Sequence, residues 1–195
     1  MEVAASILSR GVSMNDFITI IRNIEIASCN QSVRIANGYK NITGSEFLTL
    51  IKVAQQGEKD GSNFLRTYLH VNDNQQCMSR SNTNINSTAQ IIIIDCDKHI
   101  DFDGQEVDGS PNPLLIHQIL KDKNIGHIIY GSYSHYSGNK GNRYRIILTA
   151  NCLYTKEQLL PTAEAIILLI NQSLTGHLLA YAQENNEWKT ILVID

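Results

Sequence analysis

The four cysteines of this chain, Cys29, Cys77, Cys96 and Cys152, are widely separated and form no C-x-x-C pair. That spacing excludes the usual sequence basis for a zinc site or a disulfide framework and points to the reduced thiols normal in the cytosol. An excess of positive charge is missing too: 16 Lys and Arg stand against 19 Asp and Glu, a formal net charge of -3. Any affinity for nucleic acid must therefore come from a local cluster of Arg and Lys rather than from a global field. Only 18% of the residues are charged, and Asn, Gln, Ser and Thr supply most of the polarity. No apolar run approaches the length of about 18 residues that a membrane span requires. The opening "MEVAASILSRGVSMNDF" has an acidic second residue and too short an apolar stretch for a secretory signal. Low-complexity tracts, internal repeats and obvious linkers are also lacking. Together these absences predict a soluble, cytoplasmic protein.

What is present is enough apolar material for a sizeable core: 43% of 195 residues, suited to one α/β domain or to a domain with an N-terminal unit. Phe17, Ile20, Ile21 and Ile24 are spaced as a helix face over Asp16 to Ile26, with Ser13 or Asn15 as N-cap. A second helix starts near "TGSEF", capped by Thr43 or Ser45, and presents Phe47, Leu48 and Ile51. "SNFLRTYLHV" alternates as a strand, with Phe64, Arg66, Tyr68 and His70 on one face and Leu65, Thr67, Leu69 and Val71 on the other. A long polar connection, Asn72 to Thr88, follows.

Gln90 to Asp95 reads as a strand buried on both faces, leading into an acidic loop that ends in "DGSPNP". "PLLIHQILKDK" is a helix of about three turns with Pro113 in the first turn, where its missing N–H costs nothing. Gly126 to Ser134 and Arg143 to Ala150 are two further strands joined through "HYSGNKGN", a hairpin-like connection. A long helix begins at Thr155, with Pro161 either tolerated in it or marking its true start, and the tail holds the single tryptophan, Trp188. The sum is α+β with a mixed sheet.

The chemistry concentrates in "QIIIIDCDKHIDFDG". Asp95 and Asp97 are i and i+2, so a strand persisting to Asp97 would put both carboxylates on one face. Oxygen ligands converging at a strand end suit a hard divalent cation such as Mg²⁺, completed by waters and substrate phosphates. A lone D-x-D is a weak signal, because a solvated acidic turn reads the same way, and Asp101, Asp103 and Asp108 show that the loop is acidic in any case. The downstream hairpin strengthens it. Arg143 and Arg145 share a strand face and can clamp phosphate or carboxylate oxygens, while Ser132, Ser134 and His135 fall beside the turn.

The order "GEKDGSNFLRTYL", "RSNTNINSTAQIIIIDCD", "IIYGSYSHYSGNKGNRYRIIL", then a helix and "AYAQENNEW", resembles the primase-like catalytic domain of phage and plasmid replication proteins. These belong to the archaeo-eukaryotic primase superfamily. The resemblance covers roughly Gly57 to Trp188. It implies an RRM-like primase-polymerase core spanning 89–195, preceded by an N-terminal α/β unit over 1–88, in one domain of 195 residues. It further implies Mg²⁺ or Mn²⁺ on Asp95 and Asp97, with nucleoside triphosphates and a single-stranded DNA template as ligands and a replicative helicase as partner. His135 or Arg145 then falls on the second motif, which holds the incoming phosphates, and Arg80 on a basic position ahead of the first. Ser132, Ser134, Lys140 and Arg143 would contact phosphate or sugar. The third acidic motif has only Glu184 or Asp195 to supply it.

The expected activity is template-directed nucleotidyl transfer. The alternative is a decayed module that binds single-stranded nucleic acid or nucleotide without turnover. A haloacid-dehalogenase phosphatase fits less well, because His99 stands where a Thr or Val belongs two residues after the second Asp. A rolling-circle relaxase needs two histidines alternating about an apolar residue, and only His135 lies near such a place.

Overall fold

A computed structural model describes residues 12–29, 39–52, 63–81, 83–100, 105–132, 135, 140–185 and 193–194. Among these, α1 (Met14–Arg22), β1 (Glu25–Cys29), β2 (Tyr39–Thr43), α2 (Gly44–Lys52) and the short β3 (Asn63–Phe64) form the N-terminal half. β4 (Thr88–Cys96), β5 (Lys98–Ile100), β6 (Glu106–Asp108), α3 (Pro113–Asp122), β7 (His127–Gly131), β8 (Tyr144–Thr155), α4 (Lys156–Asn185) and β9 (Val193–Ile194) follow. The architecture is α+β, with every strand pairing antiparallel. No helix among the described residues is long and apolar enough to cross a membrane.

The central sheet has the order β4-β8-β7. Ile92, Ile94 and Cys96 of β4, with Tyr144, Ile146 and Leu148 of β8, face a core closed by Ile116, Ile119 and Leu120 of α3 and Ile166, Ile170 and Leu174 of α4. Ile91 and Ile147 face the other way and pack with Phe17 and Ile21 of α1 and Phe47 and Leu48 of α2. The isoleucine run is thus covered on both faces, as its composition predicts, and each fully buried isoleucine contributes roughly 1.5–3 kcal/mol over an exposed one. The sheet β2-β1-β3 and the small sheet β6-β5-β9 flank this centre.

Local signals placed the helix starts. The Ser13 side chain accepts from the Asp16 amide at the start of α1. Thr43 and Glu46 cap α2 reciprocally: the Glu46 amide donates to the Thr43 hydroxyl at 3.2 Å and the Thr43 amide to the Glu46 carboxylate at 2.8 Å, a capping box. Asn112 caps α3, with Pro113 just inside. Pro161 lies within α4.

Several sequence expectations are corrected. The first helix stops at Arg22, not Ile26: the Asn23 amide bonds back to Ile20, and Ile26 enters β1, where it is 1% exposed. β1 and β2 were not foreseen, since Ile24 and Ile26 continue an apolar pattern that a helix and a strand share over so short a run. Ser62 to Val71 is not one strand: only Asn63–Phe64 is regular, and beyond it Leu69 and Val71 make single bridges to Ile85 and Cys77. Burial still alternates over its middle, with Thr67 and Leu69 buried, Arg66 and Tyr68 half-buried and His70 exposed. The acidic loop contains the hairpin β5–β6. The strand expected to reach Ser134 ends at Gly131, and the one expected to end at Ala150 runs to Thr155.

Candidate functional site at the open end of the central sheet

Because Ile94 and Cys96 point into the core under α3 and α4, Asp95 between them points to the opposite face. Register then builds a polar rung across the sheet: Asp95 lies opposite Arg145, and Arg145 opposite Tyr130. The next rung inward is Ile93, Ile147 and Ile128, packed against the N-terminal helices. The polar rung sits where that cover gives out, with the Asp95 and Arg145 side chains 53% and 39% exposed. Arg145 Nη2 is 3.4 Å from Asp95 Oδ2. Partial burial opposes the charge on Arg145, yet Asp95 and Tyr130 outweigh it and hold the guanidinium above its usual range.

Asp97 follows β4 directly and is met by Arg143. Arg143 Nη1 lies 3.4 Å from Asp97 Oδ2, and Nη2 is 2.6 Å from Asp108 Oδ1. With only 13% of its side chain exposed, Arg143 is the most enclosed charge of the group. Asp108 arrives on β6 and is fixed by a close crossing of two loops: the Gly109 amide donates to the Asp97 carbonyl at 2.9 Å and the Ser110 amide to the Asn142 carbonyl at 2.7 Å. The crossing needs glycine, since Gly109 has φ of 91° and a Cβ there would stand 3.0 Å from the Lys140 carbonyl oxygen.

His135 belongs to the same turn. Its Nδ1 accepts from the Arg143 amide at 3.0 Å, so that nitrogen carries no proton. The His135 amide donates to the Ser132 carbonyl, and the Ser132 amide to the Arg143 carbonyl. Between the carboxylates, Cys96 is buried, and burial first, then Asp95 and Asp97, pushes its thiol up to about 12. It is a packing residue and no nucleophile.

Of the residues singled out from the sequence, Asp95, Asp97, Ser132, His135, Arg143 and Arg145 come together here. Lys140 is exposed beside the Gly109 crossing. Arg80 does not join them but stands beside Tyr39 on the N-terminal sheet, where burial and Cys29 raise the phenol and Arg80 partly offsets them. Glu184 lies in the last turn of α4, with its side chain outside the described residues, and Ser134, Asp101, Asp103 and Asp195 also lie outside them. Sequence reasoning missed Tyr130 and gave Asp108 no role beyond the acidity of its loop. Tyr130 was discoverable in principle, two residues from Ile128 on an alternating strand, but Asp108 depends on a hairpin packing that leaves no local signal.

Among the described residues no three His, Cys, Asp or Glu side chains lie close enough to share a metal ion. Asp95 and Asp97 are a two-carboxylate pair with hard oxygen donors, half exposed and held by loose 3.4 Å contacts to guanidinium. That donor set fits Mg²⁺ or Mn²⁺ completed by phosphate oxygens and water. No family model, curated protein or solved structure matches the chain.

Proposed function

We propose that the chain is a primase- or polymerase-type nucleotidyl transferase with an RRM-like catalytic core, which uses nucleoside triphosphates on a single-stranded DNA template. The observation that carries this reading is the meeting of Asp95 and Asp97 with Arg143 and Arg145 at one open sheet end. The guanidiniums and carboxylates hold one another at 3.4 Å, longer than a good charge-assisted hydrogen bond. A triphosphate entering the site offers the arginines better acceptors and releases the carboxylates. Two functions separate in this exchange: phosphate binding on arginine and cation binding on aspartate.

Mg²⁺ or Mn²⁺ bound by Asp95 and Asp97 would supply charge neutralisation at the reacting phosphate and a lowered pKa for the attacking hydroxyl. Arg145, aligned by Tyr130 and Asp95, orients the phosphate chain from one side. Arg143, anchored on Asp108, holds it from the other, and Ser132 and His135 border the same turn. Such preorganised positive charge is the larger part of catalysis in phosphoryl transfer. A replicative helicase, in trans or in a C-terminal part of the same polypeptide, is the partner this activity calls for.

Primer synthesis with Mg²⁺ or Mn²⁺ on a single-stranded template tests the reading, with incorporation expected for the natural chain. Undiminished synthesis by the Asp95→Asn, Asp97→Asn double variant would remove the basis for it. The second reading is binding of single-stranded nucleic acid or nucleotide without turnover. Nucleotide binding with no incorporation by the natural chain would select it.

A further inference from the structure

A small cavity of about 70 Å³ lies at the opposite end of the β4–β8 pair from the aspartates. Thr88 and Ala89 open β4 there, and Tyr154 and Thr155 close β8. Seven residues of strand separate Thr88 from Asp95, about 23 Å at the usual rise. Arg66 and Lys156 line the cavity together with Asn86, Ser87 and Thr155. No acid lines it, and no salt bridge among the described residues joins a carboxylate to either cation. Glu157, the next residue after Lys156, bonds to the Thr155 side chain, which with a backbone hydrogen bond and the nearby Lys156 charge holds its carboxyl below the usual range.

Arg66 is positioned by its backbone. The Leu65 amide donates to the Ala27 carbonyl and the Ala27 amide to the Thr67 carbonyl, while the Thr67 hydroxyl donates to the Thr88 carbonyl. Thr67 and Leu69 are thereby buried, at 5% and 0% exposed, while Arg66 and Tyr68 are half-buried and His70 is exposed. The Tyr68 and His70 rings meet edge to face, 6.0 Å between centroids. A cationic cavity the size of one phosphate, continued by an aromatic and an imidazole on the same strip, matches what a single strand presents: alternating phosphates and π faces.

We infer that the Arg66–Lys156 cavity and the Tyr68–His70 strip form an anchoring surface for single-stranded nucleic acid, with a backbone phosphate between the two cations and a base against Tyr68. The surface is separate from the aspartate–arginine end. It rests on the proposed function only for the presence of a single strand. Its role would be to hold the strand at a second point while the sheet end acts on nucleotides.

Fluorescence anisotropy with a labelled oligothymidylate of about 20 nucleotides tests this on the full chain. The Arg66→Ala, Lys156→Ala double variant should bind at least tenfold more weakly. It should also lower the slope of log affinity against log salt by about 0.7, from the one phosphate the two cations hold. Tyr68→Ala should weaken binding about fivefold or more, with Tyr68→Phe restoring it. Circular dichroism and thermal midpoints equal to the natural chain's separate these losses from misfolding. Failed primer synthesis by the natural chain, with oligonucleotide binding intact, overturns the catalytic reading alone and leaves the anchor standing. The anchor is overturned if the double variant keeps natural affinity and salt slope. It is equally overturned if inorganic phosphate protects the cavity's Lys156 from acylation while the oligonucleotide does not, since the site would then take free phosphate alone.

Discussion

Arg145 of β8 and Asp95 of β4 stand on one rung of the central sheet, 3.4 Å apart at their nearest side-chain atoms, in the open half of a face that is otherwise covered by helices. An ion pair this exposed contributes about 0–1 kcal/mol to stability. Asp95→Asn and Arg145→Gln should therefore each leave stability within about 1 kcal/mol of the natural chain and lower nucleotide incorporation by about 100-fold or more. Urea melts and incorporation assays run in parallel check this; activity that merely tracked the unfolded fraction would assign the pair a structural role.

Gly109 makes a second, indirect test of the site. Alanine there would hold a strained positive φ and press on the Lys140 carbonyl, at a cost of about 1–3 kcal/mol. The strain falls on the crossing that presents Asp108 to Arg143. Gly109→Ala should thus raise KM for the triphosphate more than it lowers kcat, whereas an unchanged KM would mean that Arg143 needs no such anchor.

His127 predicts a pH dependence. It is 4% exposed, its Nδ1 is 2.6 Å from the Ile125 carbonyl oxygen and its Nε2 2.8 Å from Nδ1 of His117 on α3. Burial, with His117 adding to it, lowers its pKa below the ordinary 6.5, although the Ile125 carbonyl pulls the other way. The unfolded chain then binds the proton more readily than the folded one, so stability is full above about pH 6.5 and falls as pH drops from there through the folded pKa. Thermal midpoints across that window should decline for the natural chain. His127→Asn, less stable throughout, should show a flatter profile, and an equal slope in both would move the origin elsewhere.

Metal binding has a readout that needs no turnover. A ligand at about 100 times its Kd stabilises the folded state by about 2.7 kcal/mol. Mn²⁺ should raise the midpoint of the natural chain reversibly, a chelator should cancel the gain, and Asp95→Asn, Asp97→Asn should abolish it. A gain that persists in the double variant would place the ion at another site.

The isoleucine run before Asp95, the Ser13 and Thr43 caps and the burial of Thr67 and Leu69 on one face could all be read from the chain, because each depends on residues within a few positions of one another. Arg143 and Arg145 were legible as a pair for the same reason. The turn from helix to strand at Arg22 was not, since a short apolar run satisfies either period until a partner strand takes it; here Ile26 finds Ile42. Asp108 was given no role because its meaning comes from Arg143, 35 residues away.

Sequence by itself determined the chemistry on offer: two carboxylates spaced by one residue at the end of an apolar strand, two guanidiniums spaced alike at the start of another, and no global positive charge to act in their place. Tertiary structure decided which groups meet. Antiparallel register set Arg145 between Asp95 and Tyr130, and the glycine crossing brought Asp108 to Arg143. The Thr67–Thr88 tie turned Arg66 toward Lys156. The physical reason is range: alternation and capping are fixed by neighbours along the chain, whereas register and loop packing are fixed by burial of both sheet faces at once.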